Sequence, residues 1–184
     1  HMTPFRTVNG KLTFVIATVH TSPTFALTET IGLSEVHNEA RSIWDWEDDV
    51  IILGDLNADC SYVNYEELDA SDIRNSSYTW VVPDDADTNV ASSKACAYDR
   101  IILNSDATDH FTGEWGIDIP ENIELVSDHY PVWFEMNLND TTTPPISVRR
   151  PYAGWTGPES TQVNYTPVAI MLFAAALVIN MQTD

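Results

Sequence analysis

The stretch VIILGDLNADCSYV, residues 50–63, constrains the fold more than any other, because an apolar run passes directly into polar groups. The four apolar residues from Val50 to Leu53 predict a buried β-strand. A glycine follows them, and Asp55 and Asn57 come next. A strand that ends in this way places carboxylate and amide side chains at the rim of a sheet, where binding sites commonly form. We therefore expect a sheet with a polar site at one edge.

Further strands and helices are predicted on both sides of this run. Residues 12–19 are rich in β-branched side chains, which predicts a strand, and apolar residues at three- and four-residue spacing predict an amphipathic helix over 33–44. Shorter patterns predict a helix over 66–73 and strands at 78–83, 98–103 and 130–138, the last with Val132, Phe134, Met136 and Leu138 on one face. This mixture indicates an α/β or α+β sandwich, and 184 residues are enough for one domain.

The composition changes from Asn139 onward. Residues 139–167 are rich in Pro, Thr and Gly, which predicts a linker. The uncharged stretch VAIMLFAAALVI then begins the tail, residues 168–184, and it is shorter than the roughly 20 residues that span a bilayer. This tail resembles a signal for glycosylphosphatidylinositol (GPI) attachment, which would anchor the protein to a membrane. It is equally typical of a helix that packs onto the domain, and both interpretations stay open.

The formal net charge of −20 argues against direct nucleic-acid binding unless metal ions or a local basic patch intervene. The same charge is typical of an acidic solvated surface on an extracellular or calcium-binding protein. Sequons at Asn75, Asn139 and Asn164 are candidate glycosylation sites. Two cysteines, Cys60 and Cys96, are the right number for one disulfide. Together these features favour a secreted protein.

Several polar residues lie at predicted strand ends: His20, Asp55, Asn57, Asp99, Asp128 and His129. Adjacent residues such as Asp128 and His129 point to different sides, so His129 needs a carboxylate from elsewhere, and Asp99 is the obvious candidate. A carboxylate behind a histidine makes a general base, because the anion fixes the tautomer and stabilises the imidazolium. Taken singly, each residue has a structural explanation, since a lone histidine often belongs to the core and an aspartate before a turn is usually a cap.

Four motifs extend this interpretation: VHTSP, GDLNADCSYV, CAYDRII and SDHYPV. In unbroken order they closely resemble the C-terminal half of the deoxyribonuclease I family, within the endonuclease/exonuclease/phosphatase superfamily. The resemblance implies half of a four-layer α/β sandwich, with one mainly antiparallel sheet flanked by helices and an irregular C-terminal extension. The expected organisation is a cloning remnant at residues 1–2, the half-domain at 3–138, the linker and the tail.

The same resemblance implies catalytic roles for His20, Asp55, Asn57, Asp99 and His129. His129, oriented by Asp99, would take the proton of the attacking water, and His20 would protonate the leaving oxygen. Asp55 and Asn57 correspond to a pair that contacts the scissile phosphate and the catalytic metal.

The resemblance also implies metal and disulfide positions. Asp55, Asn57 and Asp128 would bind Mg²⁺ or Mn²⁺. Asp87 and Thr88 resemble a loop for structural Ca²⁺, although this loop is one residue longer here. Cys60 and Cys96 correspond to the partners of a structural disulfide.

The function implied is a secreted, metal-dependent endonuclease that hydrolyses the phosphodiester bonds of DNA. Because only the later half of the family's sequence is matched, we expect the chain alone to be nearly inactive. We also expect an uncovered apolar sheet face, which would bind a missing N-terminal half or cause self-association. Two alternatives remain: a non-catalytic, acidic extracellular binding module, and a phosphodiesterase with a substrate other than DNA.

Overall fold

A computed structural model describes residues 1–7, 12–90 and 94–137, together with the backbone of residues 168–173 and 176–180. The strands in these ranges are β1 (Met2–Arg6), β2 (Thr13–His20), β3 (Val50–Asp55), β4 (Tyr78–Trp80), β5 (Asp99–Asn104), β6 (Phe111–Ile117), β7 (Val132–Met136), β8 (Val168–Phe173) and β9 (Ala176–Asn180). The helices are α1 (Ala26–Ile31), α2 (Leu33–Ile43), α3 (Tyr65–Asp69) and α4 (Ser105–Asp109), with short 3-10 helices at Asp72–Arg74 and Ile123–Leu125. The predicted mixed α/β class is confirmed.

The strands form two sheets, with the orders β1-β2-β3-β5-β4 and β6-β7-β8-β9. In the first sheet β2 and β3 run parallel, and the connection between them contains α1 and α2. A parallel pair requires such a crossover, because a tight turn cannot return the chain to the same end of the sheet. The other neighbouring strands of the first sheet are antiparallel.

Strand β3 shows why the first sheet is buried on both faces. Its residues alternate between two core clusters: Ile51 and Leu53 belong to one, and Val50 and Ile52 to the other. Successive side chains of a strand point to opposite faces, so an unbroken apolar run suits a strand that is covered on both sides. The cluster with Val50 also contains Ala40 of α2, which places the helices on that face.

The second sheet covers the opposite face. Val132, Phe134 and Met136 of β7 are fully buried and share a cluster with Ile51 and Leu53. The expectation of one sheet with an uncovered inner face was therefore wrong, because β6 and β7 pack onto that face. The alternating pattern of β7 correctly predicted a half-buried strand, but a periodicity does not say which surface the strand will contact. The apolar surface expected to cause self-association is already buried.

The apolar tail forms strands in the described residues, so the alternative of a packed helix over residues 168–179 was wrong. Strand β8 pairs with β7, and β9 pairs with β8, both antiparallel. Without them one side of β7 would leave its backbone N–H and C=O groups unpaired, and strand pairing satisfies these groups. Within the described part of the chain, none of the helices combines the length and apolar character that crossing a bilayer demands. The predicted linker lies outside the described residues.

Most elements with strong periodicity appear where the sequence predicted them, including α2 and the strands β2, β3, β5 and β7. The helix predicted over residues 66–73 is divided into α3 and a 3-10 helix. Strand β6 was not predicted, because Gly113 and Gly116 interrupt its pattern. The helices α1 and α4 were missed because one or two turns are too short to display a helical period.

Candidate active site

Three of the predicted site residues lie side by side across the first sheet. His20, the last residue of β2, pairs with Asp55, the last residue of β3. Asp55 in turn pairs with Asp99, the first residue of β5. The parallel strands β2 and β3 end at the edge where the antiparallel strand β5 begins. Directly paired residues present their side chains on the same face, so the strand ends gather these three groups in one row.

His129 joins this row from the segment that precedes β7. Its Nδ1 atom lies 2.7 Å from Oδ2 of Asp99. Its Nε2 atom lies 3.9 Å from Oδ2 of Asp55, and the same oxygen is 3.3 Å from Nε2 of His20. Asp55 therefore approaches two imidazoles, and the four side chains converge where the two sheets meet. The Asp99–His129 pair has the geometry that the sequence predicted.

The electrostatics of this row depend on its burial. Asp55 is 8% exposed and Asp99 is 1% exposed, and like charges directly opposite each other destabilise an antiparallel pair. Burial raises the pKa of Asp55, and the nearby charge of Asp99 adds to that effect. The hydrogen bond that His129 donates to Asp99 raises the pKa of His129 to about 9, although burial opposes this shift. This shift favours the protonated form of His129, whose positive charge offsets the negative charge of the neighbouring acids.

The turn after β3 is held in one conformation. Asn57 has a left-handed backbone, with φ of 45°, which Asn tolerates better than most residues. Its backbone N–H donates to Oδ1 of Asp55 at 2.9 Å, and its Nδ2 donates to the Thr21 carbonyl at 3.1 Å. Gly54 is required before the turn, because a Cβ atom there would lie 1.7 Å from the Val19 carbonyl oxygen. Asp55 and Asn57 are thus fixed relative to each other and to β2.

A buried arginine that was not among the predicted site residues supports this turn. Arg100 is fully buried, and its guanidinium donates to the carbonyls of Val82 at 2.8 Å and Ala58 at 3.3 Å. It also lies 3.0 Å from Oδ1 of Asp84. It therefore holds the peptide between Ala58 and Asp59. The signal in the sequence was a lone arginine within the apolar strand DRIILN, since a buried charge needs a partner.

A carboxylate and a disulfide tie the same turn to the segment before β5. Asp59 accepts hydrogen bonds from the Tyr65 hydroxyl at 2.6 Å and from the Ala97 backbone N–H at 2.5 Å. Cys60 and Cys96 form a disulfide, with their Cα atoms 5.8 Å apart, so that pairing is confirmed. The two links connect the chain after Asp55 to the chain before Asp99.

Asp128 lies beside the site, but its carboxylate is not part of the group formed by Asp55, Asp99 and His129. Its side chain is exposed, and its carbonyl accepts a hydrogen bond from the Val90 backbone N–H at 2.8 Å. Among the described residues, one group of three metal-ligand side chains comes together: Asp55, Asp99 and His129. The structure therefore favours Asp99 and His129 over Asp128 as neighbours of Asp55.

This group fits a divalent cation. One potential ligand atom from each of Asp55, Asp99 and His129 lies within 4.8 Å of the other two, which is close enough for all three to surround one ion. Carboxylate oxygens suit Mg²⁺, and a set that mixes carboxylates with imidazole also suits Mn²⁺. Burial of two neighbouring acids is unfavourable without compensating positive charge, and a bound cation would supply that charge.

The candidate calcium loop at Asp87 and Thr88 is hydrogen-bonded to the chain around the start of β5. Oδ1 of Asp87 accepts hydrogen bonds from the backbone N–H groups of Asn89 and Cys96, both at 3.3 Å. Thr88 is fully buried, and its hydroxyl contacts the backbone before β5. These contacts connect the loop to β5, the strand that carries Asp99.

The sequence resembles those of known nucleases. Deoxyribonuclease-1 of Equus caballus is 36% identical over 131 residues, which cover 65% of this chain and 45% of the relative. Deoxyribonuclease-1 of Mus musculus is 37% identical over 131 residues, with the same coverage of both chains. The predicted resemblance to the deoxyribonuclease I family is confirmed. The chain spans about half the length of these relatives, at 45% of each. No protein-family model matches the chain.

Among solved structures, a mannosyl-6-phosphatase of Bacteroides thetaiotaomicron superposes with a TM-score of 0.45 and 13% identity, covering 71% of this chain and 54% of that one. Two histidines beside two carboxylates can accept and donate protons at one place, and the acids can bind a cation.

Proposed function

We propose that this site hydrolyses phosphodiester bonds in DNA with the help of Mg²⁺ or Mn²⁺. The observation that supports the proposal most directly is the row His20–Asp55–Asp99 with His129 against it, in a chain that resembles the deoxyribonuclease I family. A single row offers a proton acceptor, a proton donor and carboxylate ligands within a few ångströms, which is what hydrolysis of a phosphodiester requires.

His129 is the proposed general base. Asp99 contacts its Nδ1, so the Nε2 atom is the one that points toward Asp55 and can take a proton from water. Asp99 then stabilises the imidazolium that forms. When bound by the carboxylate oxygens of Asp55 and Asp99, with Nε2 of His129 left free, a divalent cation would neutralise phosphate charge, lower the pKa of the attacking water and lower the pKa of His129 by repulsion.

His20 is the proposed general acid. Its side chain is 69% exposed, so a substrate can reach it from solvent, and Asp55 lies 3.3 Å from its Nε2 atom. The proton it donates would go to the oxygen that leaves the phosphorus. Asn57, held by Thr21 and Asp55, would contact a phosphate oxygen through its amide. Asp128 would act as an outer ligand, and Asp87 with Thr88 would belong to the calcium loop by resemblance alone.

Secretion of the protein belongs to the same proposal. The disulfide Cys60–Cys96 suits an oxidising compartment, and Asn75 is exposed, as a glycosylated asparagine must be. The sequons at Asn139 and Asn164 lie outside the described residues. We also propose a GPI anchor at the tail, which treatment of cells with a phospholipase that cleaves such anchors would test by releasing the protein.

The acidic surface favours the second candidate, a phosphodiesterase for a small substrate. The formal charge of −20 repels a DNA duplex, whereas a nucleotide or a lipid headgroup presents far less charge to the protein. Parallel assays with plasmid DNA and with bis(p-nitrophenyl) phosphate distinguish the two substrate classes. Neither substrate would be cleaved if the protein is the non-catalytic binding module.

The decisive experiment measures nicking of supercoiled plasmid in Mg²⁺ and in Mn²⁺. The 184-residue chain is compared with the same chain joined to the part of equine deoxyribonuclease-1 that it does not match. We expect the chain alone to be nearly inactive, because the described residues supply few cationic groups to hold a phosphate. The joined protein should nick DNA and lose that activity on chelation of the metal. No nicking by either protein would overturn the proposed function.

A further inference from the structure

The Asp99–His129 pair joins two strands that do not pair with each other. Strand β5 lies between β3 and β4 in the first sheet, whereas β7 lies between β6 and β8 in the second. Strand pairing within either sheet therefore does not hold these two residues together. Another backbone connection has to support the 2.7 Å contact between their side chains. The short segment from Thr88 to Val90 provides it.

Thr88 holds the beginning of β5. Its Oγ1 atom accepts hydrogen bonds from two successive backbone N–H groups, those of Tyr98 at 3.0 Å and Asp99 at 3.1 Å. Its backbone N–H donates to the Cys96 carbonyl at 3.0 Å, and its hydroxyl is 3.4 Å from the same carbonyl. A single buried hydroxyl therefore fixes the peptide that carries Asp99.

The same segment holds the chain on both sides of His129. The Thr88 carbonyl accepts a hydrogen bond from the Tyr130 backbone N–H at 2.8 Å. The Val90 backbone N–H donates to the Asp128 carbonyl at 2.8 Å, and residues 89 and 129 form an antiparallel bridge. The residues immediately before and after His129 are thus both bound to this segment.

We propose that Thr88 is a positioning residue that sets the distance between Asp99 and His129. Its hydroxyl binds the peptide of Asp99, while its carbonyl binds the peptide that follows His129. The catalytic consequence of this role rests on the proposed function, but the positioning itself does not. Two accepted hydrogen bonds and one donated bond use both lone pairs and the proton of the hydroxyl. That use differs from the one implied by a calcium loop.

The test compares two substitutions in the full 184-residue chain labelled with ¹⁵N. Thr88→Val has nearly the same shape but offers no acceptor, so the Tyr98 and Asp99 amides lose their partner. Thr88→Ser keeps the hydroxyl. The readouts are hydrogen exchange at these two amides and the low-field Nδ1 proton of His129, which reports its hydrogen bond to Asp99 directly.

We expect Thr88→Val to speed exchange of both amides by at least about tenfold and to abolish the low-field proton signal. Thr88→Ser should retain the signal. Thr108→Val serves as the matched control. The Thr108 hydroxyl, in α4, donates to the Asn104 carbonyl at the end of β5, away from Asp99 and His129, so the change should affect neither readout. The proposal would be overturned by a Thr88→Val chain that keeps both slow amide exchange and the low-field proton signal. A Thr88→Ser chain that loses them would overturn it as well.

A measurement on the unmodified chain keeps the proposal testable if Thr88→Val does not fold. The Tyr98 and Asp99 amides must both exchange slowly, and fast exchange of either one contradicts the proposal. In the joined protein, Thr88→Val should lower kcat and leave KM nearly unchanged. If that protein cleaves no DNA while the exchange and proton signals behave as expected, the proposed function fails and the positioning role stands.

Discussion

The two ends of strand β3 present the same chemical groups in different settings. Asp55 is the last residue of β3, and Asp49 lies just before its first residue. The two are an even number of positions apart, so their side chains point to the same face. Each approaches a histidine that precedes a strand of the second sheet. Asp55 faces His129, which precedes β7, and Asp49 faces His110, which precedes β6. Because β6 and β7 are antiparallel, their starts lie at opposite ends of the sheet, and the fold repeats an Asp–His approach at both.

The settings differ in access and in the number of converging groups. At the Asp49 end the aspartate and histidine side chains are 10% and 6% exposed, with 3.6 Å between Oδ2 and Nε2. At the Asp55 end His20 is 69% exposed, and Asp99 adds a second carboxylate in the same row. Catalysis needs an opening to solvent and a third group that orients the base, so the Asp55 end is the better candidate for an active site.

The largest effect that separates the two ends should appear in DNA cleavage by the joined protein. His129→Ala removes the proposed base and should lower kcat by about 10²–10⁴-fold. His110→Ala removes the histidine at the buried Asp49 end (the closed end, in contrast to the open end at Asp55). It should leave the activity per folded molecule nearly unchanged. Plasmid nicking, normalised to the folded fraction from circular dichroism, measures both. Equal losses in the two variants would remove the distinction between the ends.

The next effect concerns stability at the closed end. Burial, with the charge of Glu47 adding to it, raises the pKa of Asp49 to about 7 from 3.8. Between these values the unfolded chain has released the proton that the folded chain keeps, so stability falls as the pH rises from about 4 to about 7, by at most ~4 kcal/mol. Asp49→Asn should remove this loss, as measured by urea unfolding at pH 5 and pH 8.

The exposed Asp45 provides the control for that experiment. Asp45→Asn should leave the pH dependence of unfolding as it is in the unmodified chain. If Asp49→Asn destabilises the protein at pH 8 as much as at pH 5, the charge of Asp49 is favourable in the fold and the interpretation of the closed end is wrong.

At the open end stability also falls as the pH rises, but over a higher pH range, because there the charged form of the histidine is the favourable one. The bond to Asp99 raises the pKa of His129 from 6.5 to about 9. Its contribution to stability is complete below about pH 6.5 and is lost as the pH rises through about 9, with an upper limit of ~3 kcal/mol. Asp99→Asn should lower the pKa of His129 toward 6.5, as measured by NMR of its ring protons in the metal-free chain. An unchanged pKa would show that Asp99 does not control His129.

The smallest effect is the stabilisation by a bound cation. Mn²⁺ at 100 times its Kd should stabilise the folded chain by about 2.7 kcal/mol through mass action. Asp55→Asn should abolish this gain, because it removes one carboxylate ligand of the open end. Asp49→Asn should preserve it. Thermal unfolding with and without Mn²⁺ gives the comparison, and a loss of the gain in both variants would argue against a metal site at Asp55.

The sequence predicted the elements whose periodicity is strong and the residues that strand ends bring together. The pattern around β3, the alternation of β7 and the motif order were sufficient to select His20, Asp55, Asp99 and His129. It could not predict the supporting roles of Arg100 and Thr88. Their functions depend on carbonyls and amides that are distant along the chain, and a residue type does not reveal a backbone partner.

The amino-acid sequence by itself determined the mixed α/β class, the disulfide and the candidate residues, because alternation, motif order and residue chemistry are local properties of the chain. Only the tertiary structure decided that a second sheet covers the inner face and that the tail forms strands, since both depend on which unpaired surface is available nearby. It also decided that Asp55 lies at an open end and Asp49 at a closed one. Only the five residues from Val50 to Gly54 separate them in the sequence, but exposure is a property of the packed sheets.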